Sequence, residues 1–280
     1  MKTFTVQLFT LLLCTLTAFG QGFGFNPVAH MAPRPPQCWV DAKQFIEAGA
    51  ADRTIITSQM VDYSGHGFTW GDTHPTKTNV QYLTRLTGCI SSMFAGSVRG
   101  LSSTIPNSND CQTIMMTGPG SEAKILKGGH TNQCTIAVRV NYRTGSGILV
   151  KTGDNGTPGY AYPQLLGDVY WDFGAAGANR INKTIPSDFA NAWVNVFFTR
   201  SKTNQDIWMG GPTGAVTNWH TGLGNGLLLS GGGGSGSPGI FELFSMGGLT
   251  NWYIKRVLIW DYQLPPADIA AWNRYMTYLP

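Results

Sequence analysis

Residues 253–276 read YIKRVLIWDYQLPPADIAAWNRYM, an apolar run that a pair of prolines separates from a helical pattern. The run at 253–260 is apolar on both faces, as expected for a central strand of a sheet that a second sheet covers. After it, Pro266 suits the first turn of a helix, and Asp268 lies near the positive end of the helix dipole. The apolar residues of this second part repeat at helical spacing: Ile269, Trp272 and Met276. The stretch therefore predicts a central strand followed by a short C-terminal helix.

Seven other segments read as strands because they are short, apolar or alternating, and bounded by Gly, Pro, Asn and Asp. They are residues 112–116, 135–142, 146–151, 168–173, 193–200, 226–230 and 240–245. In TIAVRVNY (135–142) the alternation predicts one buried face and a second, more solvated face that carries Thr135, Ala137, Arg139 and Asn141. The chain has 36 glycines and only 12% charged residues, which suits strands and tight turns. We predict an all-β fold, a two-sheet antiparallel jelly-roll sandwich with a short C-terminal helix.

The N-terminal residues predict export. Residues 1–20 place Lys2 before an apolar run and end on small residues, the pattern of a secretory signal peptide, so the mature chain would begin near Gln21. An uncleaved virion protein is the alternative interpretation. Residues 21–37 are rich in proline and glycine and predict an extended arm, followed by one domain over 38–280. No later stretch is long and apolar enough to predict a membrane span.

Charge and cysteine content limit the classes of protein to which this sequence can belong. The 19 basic and 15 acidic residues form no runs, which argues against a nucleic-acid partner. An even set of cysteines in an exported chain predicts up to two disulfides among Cys38, Cys89, Cys111 and Cys134. Three pairings are open, of which Cys111 with Cys134 would close a modest loop and leave Cys38 for Cys89. These cysteines lack C-x-x-C spacing, which argues against a zinc site.

The segment 241–276 resembles the end of a concanavalin A-like, laminin-G-like jelly-roll domain, in its strand, Leu-Pro turn and Asp-Ile helix start. Residues 171–211 are similar to the middle hairpins of that family, and 38–70 to its opening W-x-D-A and D-x-S-G-x-G pieces. The chain departs from the family pattern at Trp208-Met209-Gly210-Gly211, where a Tyr-x-Asn-Gly turn is usual. The resemblance covers about 38–277 and implies two curved sheets with loops free for ligands. The superfamily includes lectins, adhesion modules, glycan hydrolases and decoration domains, so the fold leaves function open.

Paired carboxylates are the first requirement of a glycan hydrolase of this fold. The three glutamates, Glu47, Glu122 and Glu242, stand alone in the sequence. Asp168 and Asp172 would share a strand face but lie ~13 Å apart, too far for a retaining pair. We therefore expect no enzymatic activity.

Binding is the remaining class, and sugars are held by aromatic faces beside amide, carboxylate and guanidinium groups. Three groups of neighbouring residues fit this chemistry: Trp219 with His220, Trp70 with Asp72 and His74, and Trp208 with Asp206. Four other tryptophans lie on apolar patterns and are assigned to the core: Trp39, Trp193, Trp260 and Trp272.

The stretch WDFGAAGANRIN (171–182) predicts a hairpin, since its glycines permit a tight turn between two strands. Asp172 and Arg180 would then form a cross-strand ion pair. In the alternative interpretation Asp172, Asn179 and Arg180 touch a glycan, or Asp172 helps to hold a calcium ion; otherwise no cofactor is predicted.

Asn155 and Asn182 begin glycosylation sequons, which would be surface positions in a eukaryotic host. The leading hypothesis for function is a secreted, extracellular or cell-surface, non-catalytic module that binds a glycan or surface polymer. The alternative is a structural subunit of a virion or extracellular filament, which docks onto copies of itself or a neighbouring subunit through residues 21–37.

Overall fold

The structure is a computed structural model. It describes residues 35–54, 60–67, 69–71, 79–84, 89–94, 115–117, 133–141, 148–152, 159–164, 168–172, 181–184, 187, 191–201, 204–211, 215–223, 241–245 and 252–279. Pro36–Pro280 forms one compact unit. The predicted signal peptide, nearly all of the arm at 21–37 and the strand at 226–230 lie outside the described residues.

The described residues form sixteen strands and two helices. In chain order these are β1 (Cys38–Asp41), α1 (Lys43–Glu47), β2 (Met60–Val61), β3 (Thr69–Gly71), β4 (Asn79–Thr84), β5 (Cys89–Phe94), β6 (Met115–Thr117), β7 (Cys134–Asn141), β8 (Ile148–Thr152), β9 (Gly159–Gln164), β10 (Asp168–Asp172), β11 (Ile181–Thr184), β12 (Trp193–Arg200), β13 (Asn204–Gly210), β14 (Val216–Leu223), β15 (Phe241–Ser245), β16 (Trp252–Trp260) and α2 (Pro266–Tyr278). The all-β class and the C-terminal helix are confirmed. The five-residue helix α1 was not predicted from the sequence, because one turn of helix is too short to show a repeat.

Two antiparallel sheets contain these strands. Sheet A has the order β14-β13-β12-β7-β16-β5-β4, and β1 also pairs with β16. β1 pairs with Arg256–Ile259 and β5 with Trp252–Ile254, so the two strands share one side of β16. Sheet B has the order β11-β10-β9-β8-β15-β6-β3-β2. The run at 253–260 is central in sheet A, as its apolar faces predicted.

The two faces of sheet A differ in what covers them. One face carries the apolar residues of the sandwich core, among them Val138, Val196 and Val257, which are aligned across β7, β12 and β16. The other face carries α2, and we call it the outer face. The sequence predicted a solvated second face for β7, but Thr135, Ala137 and Asn141 on it are buried. Of the four residues assigned to that face, only Arg139 is partly exposed. The prediction was wrong because other parts of the chain cover this face: Thr135 donates to the carbonyl of Tyr262 in the turn before α2, and Asn141 donates to the carbonyl of Asn191.

Aromatic rings hold α2 to sheet A. Trp272 lies edge-on to Trp260 with ring centroids 5.0 Å apart, and Tyr275 lies 6.1 Å from Trp39 on β1. These three tryptophans are at most 4% exposed, which confirms their assignment to the core. Full burial of such side chains contributes about 1.5–3 kcal/mol each, so α2 is a structural part of the domain.

A close approach of helix to sheet occurs at Gly210. A Cβ at this position would overlap the carboxamide of Asn273 on α2. The same carboxamide accepts a hydrogen bond from Nδ2 of Asn195 at 2.7 Å. The glycine in Trp208-Met209-Gly210-Gly211, where the chain departs from the family pattern, therefore makes room for a helix–sheet hydrogen bond.

The described cysteines are buried in sheet A. Cys38, Cys89 and Cys134 are 0% exposed, and the structure has them as thiols. Cys38 pairs with Ile259 on β16. Cys89 immediately precedes Ile90, which pairs with Ile254, so Cys89 lies beside position 255, four residues from Ile259 along β16. That offset along β16 corresponds to about 13 Å. A disulfide needs Cα atoms within about 7 Å, so the pairing of Cys38 with Cys89 is not formed. Cys111, the proposed partner of Cys134, lies outside the described residues.

Candidate functional site

Asp206 and Trp208 lie on β13 and face α2. Asp206 is 6% exposed, and its Oδ2 accepts hydrogen bonds from Thr199 at 3.2 Å and from the Gln263 amide at 2.8 Å. This carboxylate holds the turn between β16 and α2 against the sheet. Trp208 is partly exposed, and its buried Nε1 has no hydrogen-bond partner among the described residues. Asp206 thus has a structural contact with this turn, and its role in ligand binding, like that of Trp208, stays a prediction.

Trp219 and His220 lie in β14, the edge strand of sheet A, and not in a loop. Ile207 pairs with His220 and Trp208 with Asn218, so Trp219 is an extra residue in a β-bulge. Bulges bend a strand and redirect side chains, and they are frequent next to functional sites. Asn218 beside the bulge is exposed. A role for Trp219 and His220 in binding stays a prediction.

The hairpin predicted at 171–182 is confirmed in its strands. β10 ends at Asp172, β11 begins at Ile181, and Trp171 pairs with Ile181 in an antiparallel register. The turn, with Asn179 and Arg180, lies outside the described residues, so the ion pair and the calcium ligand stay predictions. Among the sequons, Asn182 lies on β11, and Asn155 is outside the described residues.

The D-x-S-G-x-G segment forms a polar turn, Asp62–Ser64–His66. Oδ1 of Asp62 accepts hydrogen bonds from the backbone N–H groups of Trp39 and Ser64. The Ser64 hydroxyl donates to Asp62, and it lies 2.9 Å from Nδ1 of His66. A hydrolytic triad needs the histidine between the serine and the acid, whereas here the serine lies between the other two. The turn fixes the chain beside β1 and lacks the order that nucleophilic catalysis requires.

A cluster of polar and aromatic residues lies on the outer face of sheet A, on three adjacent strands. We call Arg139, Asn141, Trp193 and Tyr253 the Arg139 patch. Trp193 on β12 and Tyr253 on β16 both pair with Asn141 on β7, and Arg139 is the next residue on the same face of β7. The three larger side chains, Arg139, Trp193 and Tyr253, are partly exposed. The patch therefore combines two partly exposed rings with a partly exposed guanidinium, and the Asn141 amide beside them is buried.

Contacts within the patch fix its geometry. The Arg139 guanidinium lies 5.8 Å from the centroid of the Trp193 ring, and its Nη1 donates to Oδ1 of Asn195 at 3.0 Å. Asn141 donates through Nδ2 to the carbonyl of Asn191 at 3.0 Å. Nε of Arg139 and Oδ1 of Asn141 have no hydrogen-bond partner among the described residues. Buried polar atoms of this kind are usually satisfied by ordered water.

Positive charge concentrates beside the patch. Arg256 pairs with Arg139 across β16 and β7, and Lys255 precedes it. Desolvation, followed by the nearby Arg256 charge, lowers the pKa of Arg139 to about 10. Desolvation also lowers the pKa of Lys255, with Arg256 and Arg139 adding repulsion. The three cations therefore repel one another, and an anion beside Arg139 would relieve the repulsion.

Arg256 has its own counterion. Its Nε lies 3.1 Å from Oδ2 of Asp41, and both side chains are fully buried. Nη1 and Nη2 donate to the carbonyls of Met276 and Leu279, at the C-terminal end of α2. Burial raises the pKa of Asp41 and lowers that of Arg256, while the attraction within the pair opposes both shifts. The pair joins β1, β16 and α2 in the interior of the domain.

Sequence reasoning missed the patch because it assigned Trp193 to the core. The prediction was wrong since Trp193 is the first residue of β12, where the sheet extends past α2 and the ring is partly exposed. A signal was present in the sequence. The alternation of TIAVRVNY placed Arg139 and Asn141 on one face, but the neighbouring strands could not be identified without the topology.

Two general features of the described residues bear on function. They contain no group of three or more His, Cys, Asp or Glu side chains arranged to hold a metal ion. Within the same ranges, neither helix has the length and apolar character needed to cross a membrane.

Comparisons with known proteins show which solved structures are similar in fold to this chain. No family model matches the chain, and no curated protein matches it in sequence. Among solved structures it is similar to the binding domain of botulinum neurotoxin serotype D/C, with a TM-score of 0.53 and 12% identity over 87% of this chain. The binding domains of serotypes C1 and D each give a TM-score of 0.50, at 12% and 9% identity over 81% and 86% of this chain. The chain spans about half the length of these structures, 53%, 52% and 51% of them respectively. It is a two-sheet antiparallel β-sandwich with a C-terminal helix, similar in fold to these three domains.

Proposed function

We propose that this protein is a non-catalytic, secreted module that binds a glycan through the Arg139 patch. The observation that carries the proposal is the partly exposed Trp193 ring beside Arg139 and Asn141 on one face of sheet A. Aromatic rings bind the apolar face of a sugar, while a guanidinium binds its hydroxyls. The patch offers both on a rigid support of three paired strands.

The position of the patch favours binding of an extended polymer. The patch lies on the outer face of the sheet, and its aromatic residues are separated by the central strand β7. A chain of sugar units can lie across such a surface and contact more than one side chain. The matched solved structures are described as binding domains, which agrees with a recognition role for this fold.

Binding by the full-length mature chain to a glycan array, followed by calorimetry, tests the proposal. We expect Trp193→Ala to weaken binding to the recognised glycan at least tenfold, with an unchanged melting temperature. Trp219→Ala tests the competing site, since it removes the same ring from the edge strand β14. Loss of binding in Trp219→Ala alone would move the site to the bulge, and absence of any glycan binding would contradict the proposal.

The proposal also includes export and lack of catalysis. Mass spectrometry of protein from the native host should give a mature N-terminus near Gln21. Incubation of the pure chain with the recognised glycan should release no reducing ends. Cleavage that is abolished by replacing Asp168 or Asp172 would make the protein a hydrolase instead.

A further inference from the structure

We infer that the Arg139 patch selects an anionic saccharide, a sugar polymer whose rings carry carboxylate or sulfate groups. This inference rests on the proposed function and specifies the chemical class of its ligand. The neighbouring cations differ in how far their charges are already compensated, and that difference identifies Arg139 as the group that meets the anion.

The Arg256 charge is already compensated. It forms an ion pair with Asp41, and two of its nitrogens donate to carbonyls at the C-terminal end of α2, the negative end of the helix dipole. A buried carboxylate and a helix terminus therefore neutralise it. Arg256 is fully buried and is inaccessible to a polymer on the surface.

Arg139 differs from Arg256 in each respect. It is partly exposed, and no described carboxylate lies within ion-pair distance of it. Its one hydrogen bond among the described residues uses Nη1 and is donated to the neutral amide of Asn195. A guanidinium presents several donors in one plane, which matches the oxygens of a carboxylate or sulfate.

The Trp193 ring sets the orientation of the guanidinium. The ring centroid lies 5.8 Å from the guanidinium carbon, within the range of a cation–π contact. A cation held against a ring loses little rotational freedom when it binds an anion, so the site is preorganised. The same ring can contact the sugar that carries the anion. Lys255, partly exposed on β16, adds a second positive charge near the site.

Uncharged sugars use this site less well. A neutral polymer would cover Arg139 without supplying a counterion. The Arg139 charge would then lose water while its repulsion from Arg256 and Lys255 remained. An anionic polymer offsets both costs. The preference should therefore weaken as salt screens the charges.

Matched polymer pairs test the inference. Polygalacturonic acid is compared with its methyl ester, which lacks the charge, and dextran sulfate is compared with dextran, which has the same backbone. We expect at least one charged member to bind at least tenfold more tightly than its neutral partner, and the preference to shrink between 50 and 500 mM NaCl, because the Debye length falls from about 14 Å to about 4 Å. Which pair shows the preference distinguishes a carboxylate from a sulfate ligand.

Substitution of the cation is the second arm. Arg139→Gln should reduce the preference for the charged polymer at least tenfold, whereas Lys183→Gln, which removes one positive charge from an exposed position on β11, should leave it intact. If Arg139→Gln does not fold, Arg139→Lys and Lys255→Gln replace it, and each should reduce the preference several-fold.

The outcomes separate the two proposals. Binding of neutral glycans that depends on Trp193 and is unchanged in Arg139→Gln would overturn the anionic preference and keep the proposed function. Equal loss in Lys183→Gln would show attraction to overall charge and would also overturn the inference. If no array glycan and none of the four polymers binds, the proposed function fails together with it.

Discussion

Gly210 shows how one missing side chain permits the contact between helix and sheet. Asn273 occupies the space above Gly210 and joins Asn195 on the neighbouring strand. Asn195 also donates to Oγ1 of Thr277, one turn further along α2, at 2.8 Å. The Asn195 amide thus bonds to two residues of the helix, Asn273 and Thr277. Both hydrogen bonds depend on the close approach of α2 to the sheet at Gly210.

We expect Gly210→Ala to destabilise the domain by about 2 kcal/mol, since the added methyl group must displace Asn273 or the helix. Urea denaturation would measure the loss. In an Asn273→Ala background the same substitution should cost much less, because the overlapping side chain is gone. Equal losses in both backgrounds would contradict this account of the glycine.

Tyr275 gives a prediction for alkaline pH. Desolvation raises its pKa to about 12, with the nearby Arg256 lowering it and Asp41 raising it further. The folded state therefore keeps the phenol protonated at pH values where the unfolded chain, with a pKa near 10, has lost the proton. The contribution to stability is complete below pH 10 and is lost as pH rises towards 12.

The variant Tyr275→Phe lacks this ionisation. The difference in urea midpoint between the wild type and Tyr275→Phe should fall between pH 10 and about pH 12, since only the wild type loses this contribution. Comparing the two proteins cancels other titrations that they share. A difference that stays constant over this range would show that the Tyr275 pKa is not raised.

At the scale of elements, the Asp41–Arg256 pair joins β1, near the start of the domain, to β16 and α2 near its end. Asp41 ends β1, Arg256 lies in β16, and the accepting carbonyls belong to the end of α2. Taking both charges out of water is costly, so the pair is worth less to stability than its geometry suggests. Its main effect is to fix the positions of β1 and of the C-terminal end of α2 on sheet A.

Removing one charge should be worse than removing both. We expect Asp41→Asn to destabilise the domain by about 3–5 kcal/mol, because it leaves Arg256 buried without a counterion. The double variant Asp41→Leu, Arg256→Met should regain most of that loss. Thermal denaturation of the two variants and the wild type would show the order. A double variant less stable than Asp41→Asn would indicate that the pair is net stabilising.

At the scale of the whole molecule, the fold holds two of the buried cysteines too far apart to form a disulfide with each other. Cys38 and Cys89 lie on the same side of β16 but are offset along it. The core formed by sheet A is closed without a bond between them. A domain of this size buries enough apolar surface to fold without a disulfide of this kind.

We expect peptide mapping of the unreduced protein to find no Cys38–Cys89 linkage, since the strand register keeps these residues apart. Alkylation in denaturant before digestion prevents exchange of thiols during the experiment. A linked Cys38–Cys89 peptide would require a different register of β1 or β5 on β16.

Much of this architecture could be predicted because its strands carry strong local patterns. The bounds of β12 were predicted in full, and those of β7, β10, β16 and the start of α2 to within one residue, from apolar runs and the position of Pro266. These signals are local, since they depend on alternation and on which residues can begin a helix.

The Arg139 patch could not be predicted because it depends on contacts between distant residues. Arg139 and Trp193 are far apart in sequence and meet only because β7 and β12 are neighbours. The exposure of Trp193 depends on where α2 stops covering the sheet. The structural role of Asp206 likewise follows from Gln263, which the turn before α2 brings to β13.

The pairing of β1 with β16 has a consequence for how the chain is made. The partner of Cys38 is Ile259, so more than two hundred residues must leave the ribosome before the first strand finds its place. Closing so long a loop is slow, and sheet edges stay open in the meantime. A polypeptide that cannot complete its fold during synthesis can still be threaded through a translocation channel, and truncation before β16 would leave β1 without its partner strand.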